Sequence, residues 1–192
     1  MIAVRRARAD DAPGIAAVHV AAWRSAYAGI LDEAYLANLS EARLAAFYQH
    51  AILDRNRGHA VFVATAGGTD RPGDKPGPEP IVIGFTSGGR SRRQGLASGE
   101  VETLYVLDDF RERAVGRRLM RAMAAHLRAI GCNSALVWVL AENPARWFYR
   151  RIGGRQAMTD TVMVAGRPVA QTALVWDPID TLLSATAPVK EG

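Results

Sequence analysis

Cysteine is nearly missing from this chain: Cys132 stands alone in 192 residues. A single thiol excludes an internal disulfide and fits a reducing compartment. Long apolar runs are missing as well. No stretch is long enough to span a bilayer, and the opening MIAVRRARADD has no apolar signal-peptide core, so the cytoplasm is the expected location. No internal repeat is visible. Charge is not extreme: 24 Lys and Arg against 19 Asp and Glu leave a net +5, which suits a polyanionic small ligand or nucleic acid without choosing between them. With 49% hydrophobic and 22% charged residues, disorder over most of the chain is excluded. The length suffices for one domain with a real core.

What is present begins with a short edge strand at Ile2–Arg6. Asp10 and Asp11 before Pro13 signal a helix start, and Ile15, Val18, Ala22 and Ala26 give it one apolar stripe. Beside the stripe runs a row four residues apart, His19, Trp23 and Tyr27. Such a row can line a pocket or fill a core edge; the core edge is preferred, with His19 a packed histidine rather than a base. Ser40 caps a second helix whose Leu44, Phe47, Tyr48, Ala51 and Ile52 read as core-facing. Strands follow at Val61–Ala66 and Ile81–Ser87, separated by GGTDRPGDKPGPEP at 67–80, a mobile surface loop by composition. Arg90, Arg92 and Arg93 form a basic cluster without interleaved aromatic stacking partners.

The informative stretch is GEVETLYVLDDFRERAVGR, from Gly99 to Arg117. Glu100 to Leu107 reads as a strand with two carboxylates, Glu100 and Glu102, on one face. Asp108 and Asp109 make a turn. A helix then starts near Val115 and keeps its period through Leu119, Met123, Leu127 and Ile130 to the stop at Gly131. The free N–H groups and positive dipole end of that helix form a seat for phosphate. Arg117, Arg118 and Arg121 in its first turns are unfavourable against the dipole unless an anion is near; a solvated basic face explains them equally well. Ala135–Leu140 is a buried strand, Asn143-Pro144 starts a helix that Gly153-Gly154 ends, and Arg155–Val164 with Val169–Trp176 reads as a closing hairpin.

Two of these motifs resemble the signatures of the GNAT-type N-acetyltransferases. Leu104-Tyr105-Val106 followed by Arg111-x-x-Ala114-x-Gly116 is similar to the acyl-CoA motif, with Ala114 in place of its first glycine. Alanine there is expected to keep ordinary helical angles and give a slightly tighter fit. Asn143-Pro144-Ala145-Arg146 through Phe148-Tyr149 to Gly153-Gly154 is similar to the second signature. The resemblance runs from Ile2 to Trp176. It implies an α/β domain over residues 1–178, with a mixed, largely antiparallel sheet of about six or seven strands flanked by helices on both faces. Residues 179–192 are expected as a tail, frayed from Ser184.

The resemblance also implies a site. Acetyl-CoA would be the acyl donor, its pantetheine arm along Leu104, Tyr105 and Val106 and its pyrophosphate on Glu112, Arg113, Ala114, Val115, Gly116 and Arg117. Asn143 would contact the cofactor, cap its helix, or do both. A backbone N–H near Leu104 would take developing oxyanion charge. Tyr149 matches the general acid and Glu100 a base; Glu102 or a water could serve as base instead, and either carboxylate could equally be a solvated strand residue. No metal is called for. Cys132, with no histidine near it in sequence, packs rather than reacts, so no acyl-enzyme is expected. The acceptor is an amine on a small molecule or peptide, its pocket drawn from loops near Trp23–Leu31 and the final hairpin, and a homodimer is compatible with all of this. The alternatives are an acyl-CoA sensor without turnover on the same fold and, far behind, a nucleic-acid binder using Arg90, Arg92, Arg93 and the helix arginines.

Overall fold

The protein is described from a computed structural model, over residues 1–54, 58–67, 79–93 and 95–188. The loop expected at 67–80 lies, except for its ends, outside the described residues. In chain order the elements are β1 (Ile2–Arg6), α1 (Ala12–Ala26), α2 (Glu33–Ala37), α3 (Glu41–Leu53), β2 (Ala60–Ala66), β3 (Ile81–Arg90), β4 (Gly99–Val106), α4 (Val115–Ala129), β5 (Ala135–Leu140), α5 (Ala145–Arg151), β6 (Arg155–Val164), β7 (Arg167–Trp176) and α6 (Asp180–Ala185). The seven strands form one sheet in the order β1-β2-β3-β4-β5-β7-β6. Every neighbouring pair is antiparallel except β4 and β5.

Helices cover the two faces with different apolar stripes. On one face α4 presents Val115, Leu119, Met123 and Leu127, all 1% exposed or less, against Ile83, Val101 and Val137. On the other, Ile15 and Val18 of α1 and Tyr48 of α3 close on Val61, Val63 and Phe85. Each such side chain contributes about 1.5–3 kcal/mol of burial. The cap of α3 is as expected, since the Ser40 hydroxyl accepts from the Arg43 N–H at 3.3 Å. Phe47 is a correction: it is 62% exposed, because Tyr48, one position on, takes the buried side of α3. At the start of α1, Asp11 does not cap the helix. Its carboxylate accepts from the Arg8 N–H at 2.7 Å and from the Arg5 guanidinium at 2.7 and 2.8 Å, fixing the chain between β1 and α1.

The tail is the second correction. Beyond Trp176 the chain forms α6, and Ile179 and Leu182 are 2% and 0% exposed in the α4 core. Three arginines of α4 hold it there. Arg121 donates to the Leu183 carbonyl at 2.8 Å, Arg117 to the Ala187 carbonyl at 2.7 Å, and Arg128 pairs with Asp180. The first-turn arginines of α4 thus also have partners within the protein: Arg118, which stays exposed, donates to the Ile2 carbonyl at 2.9 Å.

Candidate active site

The phosphate seat is built from the turn between β4 and α4. A 3-10 turn at Asp108–Phe110 ends the strand, and the chain then enters the left-handed region twice, at Glu112 (φ 65°) and Ala114 (φ 57°). Left-handed residues in such a turn can point nearby N–H groups into one concavity, as in an anion nest. The N–H groups of residues 113–117 meet no acceptor among the described residues, and the first helix bond runs from Arg118 to the Ala114 carbonyl. The expectation that Ala114 keeps helical angles is thus overturned. Its left-handed conformation costs an L-residue roughly 1–2 kcal/mol, which glycine would avoid. Arg117 can serve a ligand here only through its backbone, since its guanidinium holds Ala187, although its Nε is buried without a partner.

Next to the seat the sheet opens. β4 and β5 pair at Gly99–Ala135, Glu100–Leu136 and Val101–Val137, and no further. On the other side of β4 the register with β3 slips between Ser87 and Gly88, leaving Glu102 as an extra residue in a bulge. Gly88 makes this possible, because a Cβ there would lie 2.4 Å from the Glu100 carbonyl oxygen. From Glu102 to Val106, then, β4 carries a backbone edge that β5 does not use. Such an edge takes an extended amide chain as an added strand.

Side chains from both faces converge on this opening. Tyr27, at the end of α1, lies near Asn143 and Tyr105, which act on its hydroxyl. Asn143 also accepts from the Ala145 N–H at 2.8 Å, so it steadies the start of α5 while facing the cleft. Tyr149 of α5 is 5% exposed, with its ring edge-on to Phe148 and Trp176. Its hydroxyl makes no hydrogen bond among the described residues, yet it is not among the sealed polar atoms. Burial, then the nearby Tyr27 hydroxyl, pushes its pKa well up. Of the aromatic row on α1, Tyr27 thus belongs to the cleft. His19 is packed: it shares a 2.8 Å hydrogen bond with Tyr48, and burial pulls its pKa down to about 4, so it is neutral near pH 7.

The two β4 carboxylates part company. Glu102 is bound by His59 Nε2 at 3.1 Å and by Arg92 at 3.0 Å, and these partners outweigh burial to hold its carboxyl below the usual range. Glu100 has no ion-pair partner among the described residues. Burial, reinforced by the charge of Glu102, raises its pKa against a hydrogen bond from the Arg92 backbone N–H and the charges of Arg92 and Arg93. A half-buried carboxylate with a raised pKa is the better proton acceptor. Sequence reasoning missed His59, which is 43 residues from Glu102 and in no motif. It also missed Trp138, which lies under Arg93. The basic cluster at Arg90–Arg93 has internal partners throughout: Arg90 on the Ile130 carbonyl, Arg92 on Glu102, Arg93 on Asp160. That leaves little for a nucleic acid.

The turn before α4, beside two parallel strands that pair over three residues only, suits a ligand that carries phosphates and an extended amide arm. Residues 88–164 match the family described as FR47-like protein. The chain is 30% identical to the uncharacterized N-acetyltransferase YuaI of Bacillus subtilis, over 95% of this chain and 96% of that one. In fold it is similar to the PaiA N-acetyltransferase of Thermoplasma acidophilum, solved in complex with coenzyme A (TM-score 0.66, 16% identity, 90% of this chain and 98% of that one). It is similar also to yncA of Salmonella typhimurium, a putative acetyltransferase solved with acetyl-CoA (TM-score 0.63, 16% identity, 99% of each chain). The chain belongs to the GNAT-type N-acetyltransferases.

Proposed function

We propose that the protein moves an acetyl group from acetyl-CoA to a primary amine by direct attack within a ternary complex. The observation that carries this is the row of unspent N–H groups at 113–117, at the mouth of the β4–β5 opening. Those amides and the α4 dipole suit a pyrophosphate, and the free edge at Leu104, Tyr105 and Val106 suits the pantetheine amides. When bound, acetyl-CoA supplies an acetyl thioester already activated toward nitrogen. Glu100, unpaired and of raised pKa, takes the amine proton onto its carboxylate, directly or through one water. A backbone N–H of the β4 bulge near Leu104 faces the developing oxyanion. Tyr149, kept protonated by burial, gives its hydroxyl proton to the departing sulfur, and Asn143 positions the Tyr27 hydroxyl beside it.

The test is acetyl-CoA turnover with a panel of primary amines, read as free thiol, alongside calorimetric binding of acetyl-CoA. Amine-dependent thiol release is the expected result. Tight binding with no release for any amine would instead make the chain an acyl-CoA sensor.

A further inference from the structure

A side chain from the β3–β4 connection reaches β5 and, across β7, β6. Arg93 lays its guanidinium over the Trp138 ring, 4.9 Å from the centroid, and its Nη1 lies 2.6 Å from Asp160 Oδ2. The charge of Glu100 acts on the same guanidinium. Trp138 is the first β5 residue beyond the last pair with β4, so this place adjoins the point where the strands part. An aromatic face and two carboxylates around one positive group make a seat for a cation. Asp160 and Glu100 both act on Arg93, while Glu102 is held by Arg92 and His59.

The seat is held by a side chain that can leave. Arg93 is 51% exposed, and an ion pair so open to water is weak enough for a ligand to displace. We propose that the seat belongs to the acceptor: the substrate is an amine carrying a second cationic nitrogen, which replaces Arg93 between Trp138 and Asp160 while its reacting nitrogen lies toward Glu100. An acceptor bearing a carboxylate would be repelled. It could draw Arg93 away only by leaving Asp160 and Glu100 without a counter-charge.

This inference rests on the acetyltransferase reading, and the experiment separates the two. Acetyl-CoA turnover is compared for 1,4-diaminobutane, a lysine-containing tripeptide amide, butylamine and 4-aminobutanoate, on the full chain and on Asp160→Asn and Arg93→Gln. The expected kcat/KM for 1,4-diaminobutane is about tenfold or more above that for butylamine, with 4-aminobutanoate lowest. Asp160→Asn erases the gap between diamine and butylamine, and Arg93→Gln lowers the KM for the diamine. A rate for the tripeptide amide above that for the diamine would place the second cation on a peptide rather than a small polyamine. Equal rates for diamine and butylamine, preference for 4-aminobutanoate, or a diamine preference that survives Asp160→Asn each overturn the seat. Calorimetry of 1,4-diaminobutane on the CoA-loaded protein reads the seat without turnover. Binding that Asp160→Asn abolishes, with no thiol released from any amine, would sink the activity and keep the cation site; no binding and no release would sink both.

Discussion

At Tyr149 a single oxygen separates two explanations of a buried phenol. The ring packs edge-on against Trp176, whereas the hydroxyl has no hydrogen-bond partner among the described residues. Tyr149→Phe keeps the ring, so acetyl-CoA affinity is expected to stay within about twofold while kcat falls on the order of 10²-fold. Equal losses in binding and turnover, measured by calorimetry and thiol release, would remove Tyr149 from the acid role. Ala114 supports the opposite kind of prediction. Its φ of 57° is a strain that glycine does not feel, so Ala114→Gly is expected to raise stability by about 0.5–1 kcal/mol and leave acetyl-CoA affinity unchanged or better. A urea melt and a binding isotherm check both halves. The sequence motif marks Ala114 as the departure from a glycine pattern, but not its conformation, because an alanine preceding a helix ordinarily takes right-handed angles.

The strands β3 and β4 must be read together. Their bulge needs Gly88 opposite Val101, since any side chain there runs into the Glu100 carbonyl and the Met123 sulfur, 2.4 and 3.1 Å from the added carbon. Gly88→Ala is expected to cost about 1–3 kcal/mol and to lower activity beyond that loss by shifting Glu100. Chemical denaturation with kinetics on the folded fraction separates the two effects. Elements with strong periodic patterns were legible before the structure: α4 begins and ends where its apolar spacing says, and the order of strands and helices follows from the two motifs. Phe47 was misread because Leu44, Phe47 and Ala51 share a spacing with Tyr48, and periodicity alone does not decide which edge of a stripe is covered. The helix α6 was missed because it is six residues long and much of what secures it comes from the arginines of α4, a contact no local pattern carries.

On the proposed mechanism the chemistry lies where two helical layers and the sheet meet, and its electrostatics depend on groups far apart in the chain. Glu100 was chosen on a motif match, but what distinguishes it from Glu102 is His59 and Arg92, which only the fold brings to the second carboxylate. Stability is tied to His19 in the same way. Burial lowers its folded pKa to about 4, below the ordinary value of 6.5, so the unfolded chain takes up the proton first. Its contribution is therefore whole above pH 6.5 and is lost as pH falls toward 4, roughly 3 kcal/mol at most. The urea midpoint should drop between pH 7 and pH 4.5, and His19→Gln should flatten that drop; an identical drop in the variant would place the titration elsewhere.

The pairing of β4 with β5 closes at Val101 and Val137, and both valines are buried, 1% and 2% exposed. We expect this closed end of the opening to limit the length of the acyl group that a carrier lying along β4 can present. Butyryl-CoA is accordingly expected to be a poor donor beside acetyl-CoA, and equal rates from the two thioesters would show that the limit does not act.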